Sequence, residues 1–166
     1  METAVRTAAH NRWWRIGEVV LGVPLLAAML LQWLVPVALP TGGHRGVTIA
    51  AGVVLSIMGL QVIRAARREL ARYRQPTDPG HPTERLVTTG IFAYSRNPLY
   101  VGAVLFLIGL ALAAGLTWML VLLPLTVAAC YFILIAPEER YLTATFGVEY
   151  AGYVRTVCRW MGRPAS

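Results

Sequence analysis

The chain has 166 residues, of which 57% are hydrophobic, and its mean hydropathy of +0.57 is too apolar for a water-soluble domain of this size. All 15 basic residues are arginines, and the formal net charge is +7. Because most of these arginines lie just outside apolar segments, they are placed to meet anionic lipid head groups rather than nucleic acid. Composition therefore indicates an integral membrane protein and argues against a soluble or nucleic-acid-binding domain.

Four apolar segments predict an all-α polytopic membrane protein with about four transmembrane helices. The first runs over residues 19–39, in which Pro24 and Pro36 are expected either to kink the helix or to mark its ends, and the second runs from 47 to about 63. The third, 101–114, and the fourth, 117–135, are separated only by Gly115 and its neighbour, which predicts a tight antiparallel helical hairpin. The third segment is short for a straight span, so Pro98 is expected to lie already inside the membrane.

The polar segments are expected to share one face of the membrane. Residues 1–15 are basic and aromatic and predict an interfacial helix. Residues 64–89 predict an extension of the second helix out of the membrane, followed by a loop at Pro76, Pro79, Gly80 and Pro82. The tail from Pro137 predicts one or two amphipathic helices on the membrane face.

The distribution of arginines predicts the orientation of the chain. All of them except Arg45 fall at the N-terminus, in residues 64–96 or in the C-terminal region. By the positive-inside rule, both termini are cytoplasmic, in what we expect to be a bacterial inner membrane. We treat residues 1–166 as one membrane-embedded domain. The two cysteines, Cys130 and Cys158, have neither metal-ligand spacing nor a disulfide framework, so we expect no metal.

Residues 90–102, GIFAYSRNPLYVG, are too polar to cross a bilayer, yet they lead without a gap into an apolar segment. Hydrocarbon offers no hydrogen-bond partners, so backbone at that depth must be satisfied by protein or must line a cavity. One interpretation is therefore the wall of a site. The other is an interfacial connector in which Tyr94 and Tyr100 belong to an aromatic belt and Arg96 snorkels to lipid phosphates.

Two adjacent carboxylates, Glu138 and Glu139, directly follow the last apolar segment. They either face water or require a cationic partner, because a carboxylate at that position loses hydration. The topology brings them to the same side as Arg96, Asn97 and Tyr100. Consider a ligand with a carboxylate, an ammonium and a sulfonium. An arginine or a backbone amide would bind its carboxylate, a glutamate would bind its ammonium, and aromatic faces would bind its sulfonium. S-adenosylmethionine is such a ligand.

The segments LVTTGIFAYSRNPLYVG (86–102) and EERYLTATFGVEYAGYVR (138–155) resemble the isoprenylcysteine carboxyl methyltransferases and their relatives, the phospholipid methyltransferases. The resemblance covers about half of the chain, from 85 to 163. It implies an S-adenosylmethionine-dependent membrane methyltransferase that acts on a lipophilic acceptor at the cytoplasmic face. From the residues themselves, we expect Glu138 and Arg96 to be catalytic: Arg96 could hold a carboxylate, and Glu138 or Glu139 is the nearest base for an ammonium acceptor. The implied cofactor contacts are Glu84, Arg85, Leu86, Val87, Phe92, Asn97, Pro98, Leu99, Tyr100 and Glu138.

The chain departs from the pattern of this family in two places. The family commonly has histidine where this chain has Asn97, an amide that cannot titrate near neutral pH. The carboxyl methyltransferases also carry an arginine shortly before the glutamate pair, whereas Leu134 occupies the nearest position here. Methyl transfer to a phospholipid or another amphiphile, on nitrogen or sulfur, therefore stays open, as does a non-catalytic membrane protein that retains the fold.

The family pattern indicates which of the two carboxylates faces the cofactor. Adjacent residues on a helix point about 100° apart, so only one of them can face a pocket. The pattern points to Glu138, and Glu139 is then expected to face water or a surface arginine such as Arg155. The acceptor and the oligomeric state are not specified by the sequence.

Overall fold

The computed structural model describes residues 17–75 and 84–162. These residues form helices joined by turns and irregular segments, and no β-strand occurs among them, which confirms the predicted all-α fold. The interfacial helix expected over residues 1–15 lies outside the described residues, as do the prolines of the expected loop, Pro76, Pro79 and Pro82.

The described residues form five α-helices. A 3₁₀ turn at Gly90–Ala93 precedes the third helix, and a π turn at Cys130–Ile135 joins the fourth helix to the fifth without a break. In chain order the helices are α1 (Gly17–Leu34), α2 (Arg45–Arg72), α3 (Pro98–Ala114), α4 (Thr117–Ala129) and α5 (Ala136–Thr156).

Three of the described helical stretches are long and apolar enough to cross a membrane. They are α1, α2 and the continuous 40-residue stretch Thr117–Thr156. The apolar helix α3 has only 17 residues, as expected for a short arm that begins at Pro98. Gly115 joins α3 to α4 in the left-handed conformation at φ 70°, which glycine adopts without a steric cost. The hairpin of α3 and α4 is thus present.

The first helix ends at Leu34, five residues before the predicted boundary at 39. Of the two prolines in this segment, Pro24 lies inside the helix and Pro36 follows its end. Pro36 disfavours the α conformation at Val35, so the apolar composition continues beyond the helix. The freed carbonyl groups are satisfied by side chains. Trp118 Nε1 donates to the Val35 carbonyl over 2.8 Å, and Thr117 Oγ1 donates to the Val37 carbonyl over 2.7 Å.

The closest helix pair is α2 with α3, which run antiparallel and meet at glycines. A Cβ on Gly59 would lie 2.5 Å from the carbonyl oxygen of Gly102, and a Cβ on Gly52 would lie 2.6 Å from that of Gly109. No larger residue fits at these positions without separating the helices. Gly102 and Gly109 of α3 thus pack against α2 of the same chain.

The C-terminal part of the chain begins as a direct continuation of α4. The π turn lies immediately before Pro137, a residue that lacks an N–H group and crowds the preceding turn of a helix. Gly147, at φ 49° and ψ −113°, then breaks α5 into two segments. This break turns the chain, so that residues 158–162 return to the loop that precedes α3. We call this end of the bundle the site end.

Candidate active site

The loop of residues 90–97 is joined to the C-terminal segment by main-chain hydrogen bonds. The Arg96 N–H group donates to the Cys158 carbonyl over 3.1 Å, and the Gly162 N–H group donates to the Tyr94 carbonyl over 2.8 Å. The hydroxyl of the buried Tyr153 donates to the Phe92 carbonyl over 2.6 Å. The polar backbone of this loop is thus satisfied by protein, as its position beside an apolar helix requires.

Asn97 and Pro98 form the start of α3 and are both buried. The Asn97 backbone N–H donates to Ser95 Oγ over 3.1 Å, and its side-chain Nδ2 donates to the Arg159 carbonyl over 3.1 Å. Proline is tolerated in the first turn of a helix, where Pro98 lies, because a backbone N–H group at that position would have no partner within the helix. The Asn97 amide donor therefore holds the loop to the tail.

Tyr100 and Glu138 are brought together at the site end. The hydroxyl of the buried Tyr100 donates to Glu138 Oε2 over 3.4 Å, and Glu138 is itself half-buried. Tyr100 also packs with Val20, Cys130 and Leu134, in a cluster that joins α1, α3 and the π turn. The orientation of Glu138 toward Tyr100 agrees with the sequence interpretation. Glu138 has no arginine within ion-pair distance among residues 17–75 and 84–162.

Glu139 lies between two arginines, so the expectation that it faces water or Arg155 is wrong. Its Oε1 lies 3.0 Å from Arg96 NH1, and both carboxylate oxygens accept hydrogen bonds from Arg159, over 2.9 and 2.8 Å. The Glu139 side chain is only 17% exposed and that of Arg96 only 10%. Helical periodicity could not find Arg159, because this residue reaches Glu139 only through the bend at Gly147.

Further contacts fix both guanidinium groups. Arg96 NH1 donates to the Tyr150 hydroxyl over 3.2 Å, while its buried Nε has no hydrogen-bond partner among the described residues. The Arg159 guanidinium lies 5.0 Å above the ring of Tyr131. The hydrogen bonds that Arg159 donates to the Glu139 carboxylate raise the pKa of Arg159 above its ordinary value. Glu139, Arg96 and Arg159 therefore form a fixed, charged network on one side of the Tyr100 and Glu138 pair.

The predicted residues 84–87 lie along the end of α2. The side chains of Glu84 and Arg85 are exposed, whereas Val87 is buried with Phe92 and Ala66 and contacts the half-buried Leu99. Leu86 packs instead against the buried tyrosines of α5. The structure thus groups Val87, Phe92 and Leu99 in one cluster and Tyr100 with Glu138 in another.

Sequence reasoning missed four residues of this region. Arg159 and Tyr150 complete the network around Glu139, Tyr153 ties α5 to the loop, and the buried Gln75 holds residues 84 and 85. The tyrosine spacing in the tail was a usable signal, because Tyr150 and Tyr153 share a helical face and are both buried. Nothing in the sequence around Gln75 or Arg159 distinguished them from surface residues.

The fold and the site together define a polytopic helical membrane protein with a charged and aromatic site at one end of its bundle. The family model for phospholipid methyltransferase matches residues 47–149, which is more than half of the chain. The chain therefore belongs to the phospholipid methyltransferase family, a family of membrane methyltransferases, and the resemblance drawn from its sequence is confirmed.

A curated relative supports the same family. The chain is 36% identical over 72 residues to the protein-S-isoprenylcysteine O-methyltransferase of Schizosaccharomyces pombe. This match covers 43% of the present chain and 30% of the length of that relative. No solved structure matches the chain.

Proposed function

We propose that the chain transfers a methyl group from S-adenosylmethionine to a lipophilic acceptor at the cytoplasmic face of the membrane. The observation that carries the proposal is the Tyr100 and Glu138 pair, which lies where apolar helices meet a charged network in a member of a methyltransferase family. We also propose that both termini are cytoplasmic, that the membrane is a bacterial inner membrane, and that residues 1–166 act as one domain.

The side chains at this end of the bundle fit the chemistry of S-adenosylmethionine. Glu138 is half-buried without an arginine partner among the described residues, so it can accept hydrogen bonds from an ammonium group. Phe92 and Tyr100 offer aromatic faces for a sulfonium. Arg96 is committed to Glu139 through NH1, but its unpartnered Nε remains a donor for a carboxylate. The remaining proposed contacts are Glu84, Arg85, Leu86, Val87, Asn97, Pro98 and Leu99.

When bound, this cofactor supplies an electrophilic methyl group on sulfur. The protein then has to position an acceptor in line with that methyl group and exclude water. We assign positioning to Tyr100, whose hydroxyl is fixed by Glu138, and water exclusion to the apolar cluster of Val20, Cys130 and Leu134. A lipophilic acceptor would enter from the bilayer, while the polar cofactor would enter from water.

The electrostatics of the site favour an amine acceptor over a carboxylate. A carboxylate substrate would need a further cation, yet Arg96 and Arg159 are both paired with Glu139, and Arg96 Nε is already assigned to the carboxylate of the cofactor. The buried Leu134 stands in the turn before Glu138, where the carboxyl methyltransferases carry an arginine. An ammonium acceptor would instead meet Glu138, the nearest carboxylate that could take its proton before methyl transfer. We therefore favour an amine-bearing lipid or amphiphile over a prenylated cysteine carboxylate.

Two measurements test the proposal in order. Isothermal titration of the detergent-purified protein with S-adenosylhomocysteine, the demethylated product, tests cofactor binding, and a folded protein that does not bind it refutes the proposal. Incubation with methyl-labelled S-adenosylmethionine and lipid extract, followed by mass spectrometry, then identifies the acceptor. Label on a lipid amine is expected. Cofactor binding without label on any acceptor would instead support a non-catalytic protein that retains the fold.

A further inference from the structure

The last turn of α2 and the residues just beyond it carry side chains that hold both ends of the segment 84–90. We call this group, Glu69, Tyr73 and Gln75, the loop anchor. Glu69, in the last turn of α2, and Gln75, three residues after the helix, are each only 7% exposed although both are polar. Burying a polar side chain costs free energy unless the side chain is fully hydrogen-bonded. The hydrogen bonds of Glu69 and Gln75 therefore indicate the structural role of each residue.

Gln75 fixes the first two residues of the segment through its side-chain amide. Its Oε1 accepts the backbone N–H groups of both Glu84, over 2.9 Å, and Arg85, over 3.2 Å. Its Nε2 donates to the Tyr73 carbonyl over 3.1 Å, so the amide plane is held from both sides. One side chain thereby joins α2 to main-chain groups nine and ten residues further along the chain.

Glu69 fixes the other end of the same segment. Thr89 Oγ1 donates to Glu69 Oε1 over 2.5 Å, and the Tyr73 hydroxyl lies 2.9 Å from the same Thr89 oxygen. Gly90, at φ 59°, packs so closely that a Cβ on it would lie 2.7 Å from the Glu69 carboxylate carbon. Between these two ends, Val87 is buried against Ala66 and Phe92.

We propose that Gln75 is a positioning residue for cofactor binding, which acts by fixing the main chain at Glu84 and Arg85. This inference rests on the proposed function, in which residues 84–87 contact S-adenosylmethionine. The Glu84 and Arg85 side chains are exposed, and the backbone N–H groups of both residues are hydrogen-bonded to Gln75. Their path past the end of α2 therefore depends on the one acceptor oxygen that both N–H groups share.

The test compares two variants at position 75 with a matched control. Gln75→Met keeps the length of the side chain but removes the shared acceptor, whereas Gln75→Glu keeps an acceptor oxygen for both N–H groups. Gln75→Glu also replaces the donor to the Tyr73 carbonyl with a charged carboxylate oxygen, so we expect its recovery of affinity to be partial. Gln32→Met makes the same chemical change at the opposite end of the bundle, where Gln32 Nε2 donates to the Val37 carbonyl. Each purified protein is examined by amide hydrogen exchange without ligand and by titration with S-adenosylhomocysteine.

We expect Gln75→Met to speed exchange at the Glu84 and Arg85 amides and to weaken S-adenosylhomocysteine binding about tenfold, because two hydrogen bonds to the segment are lost. In turnover assays it should raise KM for the cofactor while leaving kcat and KM for the acceptor within about twofold of wild type. Gln75→Glu should recover part of the affinity that Gln75→Met loses, and Gln32→Met should bind as wild type does.

Three outcomes would overturn the inference. They are unchanged exchange at the Glu84 and Arg85 amides in Gln75→Met, unchanged affinity despite a lowered unfolding temperature, and an equal loss of affinity in Gln32→Met. A wild-type protein that does not bind S-adenosylhomocysteine would refute the proposed function and, with it, the role of Gln75 in cofactor binding. Hydrogen exchange would still report separately whether Gln75 holds the segment.

Discussion

Replacing Glu139 with glutamine should destabilise the protein more than the same change at its neighbour Glu138. Glu139 is the shared anion between Arg96 and Arg159, with oxygen to nitrogen distances of 3.0, 2.9 and 2.8 Å. Glutamine keeps the size of the side chain but removes its charge, and it turns one acceptor into a donor that faces a guanidinium group. The Arg96 charge, which is only 10% exposed, then lacks its carboxylate.

The magnitude follows from the burial of each partner. Removing one partner of a buried ion pair costs about 3–5 kcal/mol, whereas an exposed pair contributes about 0.2–1 kcal/mol. The ion pair with Arg96 is buried, so its loss should cost close to the value for a buried pair. The Arg159 side chain is 36% exposed, so the free energy lost with that ion pair is smaller because solvent screens it. We therefore expect Glu139→Gln to lower the free energy of unfolding by about 2–3 kcal/mol, or the unfolding midpoint by about 4–12 °C.

The assay is thermal unfolding of the detergent-purified protein without ligand. Glu138→Gln is the matched control, because Glu138 has no ion pair among the described residues and should change the midpoint by less than about 3 °C. Arg159→Gln should lose part of the same stability, and the double variant with Glu139→Gln should lose less than the sum of the two. A Glu139→Gln midpoint equal to that of wild type, or strict additivity in the double variant, would refute this account.

Three further predictions concern the site and the packing. Glu138→Gln should weaken S-adenosylhomocysteine binding by about 1.5–3 kcal/mol, or roughly ten- to a hundredfold, as measured by isothermal titration; unchanged affinity would remove Glu138 from the pocket. Gly109→Ala should cost about 1–3 kcal/mol in thermal unfolding, because the added Cβ meets the backbone of α2, whereas Gly22→Ala, with open space, should not destabilise. Gly90→Ala should cost about 2 kcal/mol or more, because alanine is strained at φ 59° and contacts Glu69; a midpoint within 2 °C of wild type would contradict this.

Much of the fold was predictable because membrane-spanning helices are recognisable in a sequence by their length and apolar composition. The α3 and α4 hairpin followed from the short connection at Gly115, and the extension of α2 followed from its run of arginines. Apolar composition alone placed the end of the first segment at residue 39, because residues 35–39 are as apolar as the helix itself. The sequence left open whether Pro24 and Pro36 kink the helix or mark its ends, and the structure ends α1 at Leu34, before Pro36.

Part of the candidate site was also predictable from local pattern. The family motifs placed Glu138 and Tyr100 on the same face, and the structure joins them by a hydrogen bond. The surroundings of Glu139 were not predictable, because Arg159 follows it by twenty residues and returns only after the chain turns at Gly147. The anchoring role of Gln75 was hidden for the same reason, since its partners follow a segment rich in proline and glycine.

By itself, the sequence determined that this is a helical membrane protein, where its apolar segments lie, and which family its motifs resemble. These properties depend on composition and on the spacing of residues within one or two helical turns, so they can be read from short stretches of sequence. The tertiary structure alone decided that Gly52 and Gly59 seat α3 against α2 and that Glu139 is neutralised by two arginines. Such contacts depend on how distant segments meet, because hydrogen bonds and ion pairs require atoms within about 3–4 Å, whatever their separation in sequence.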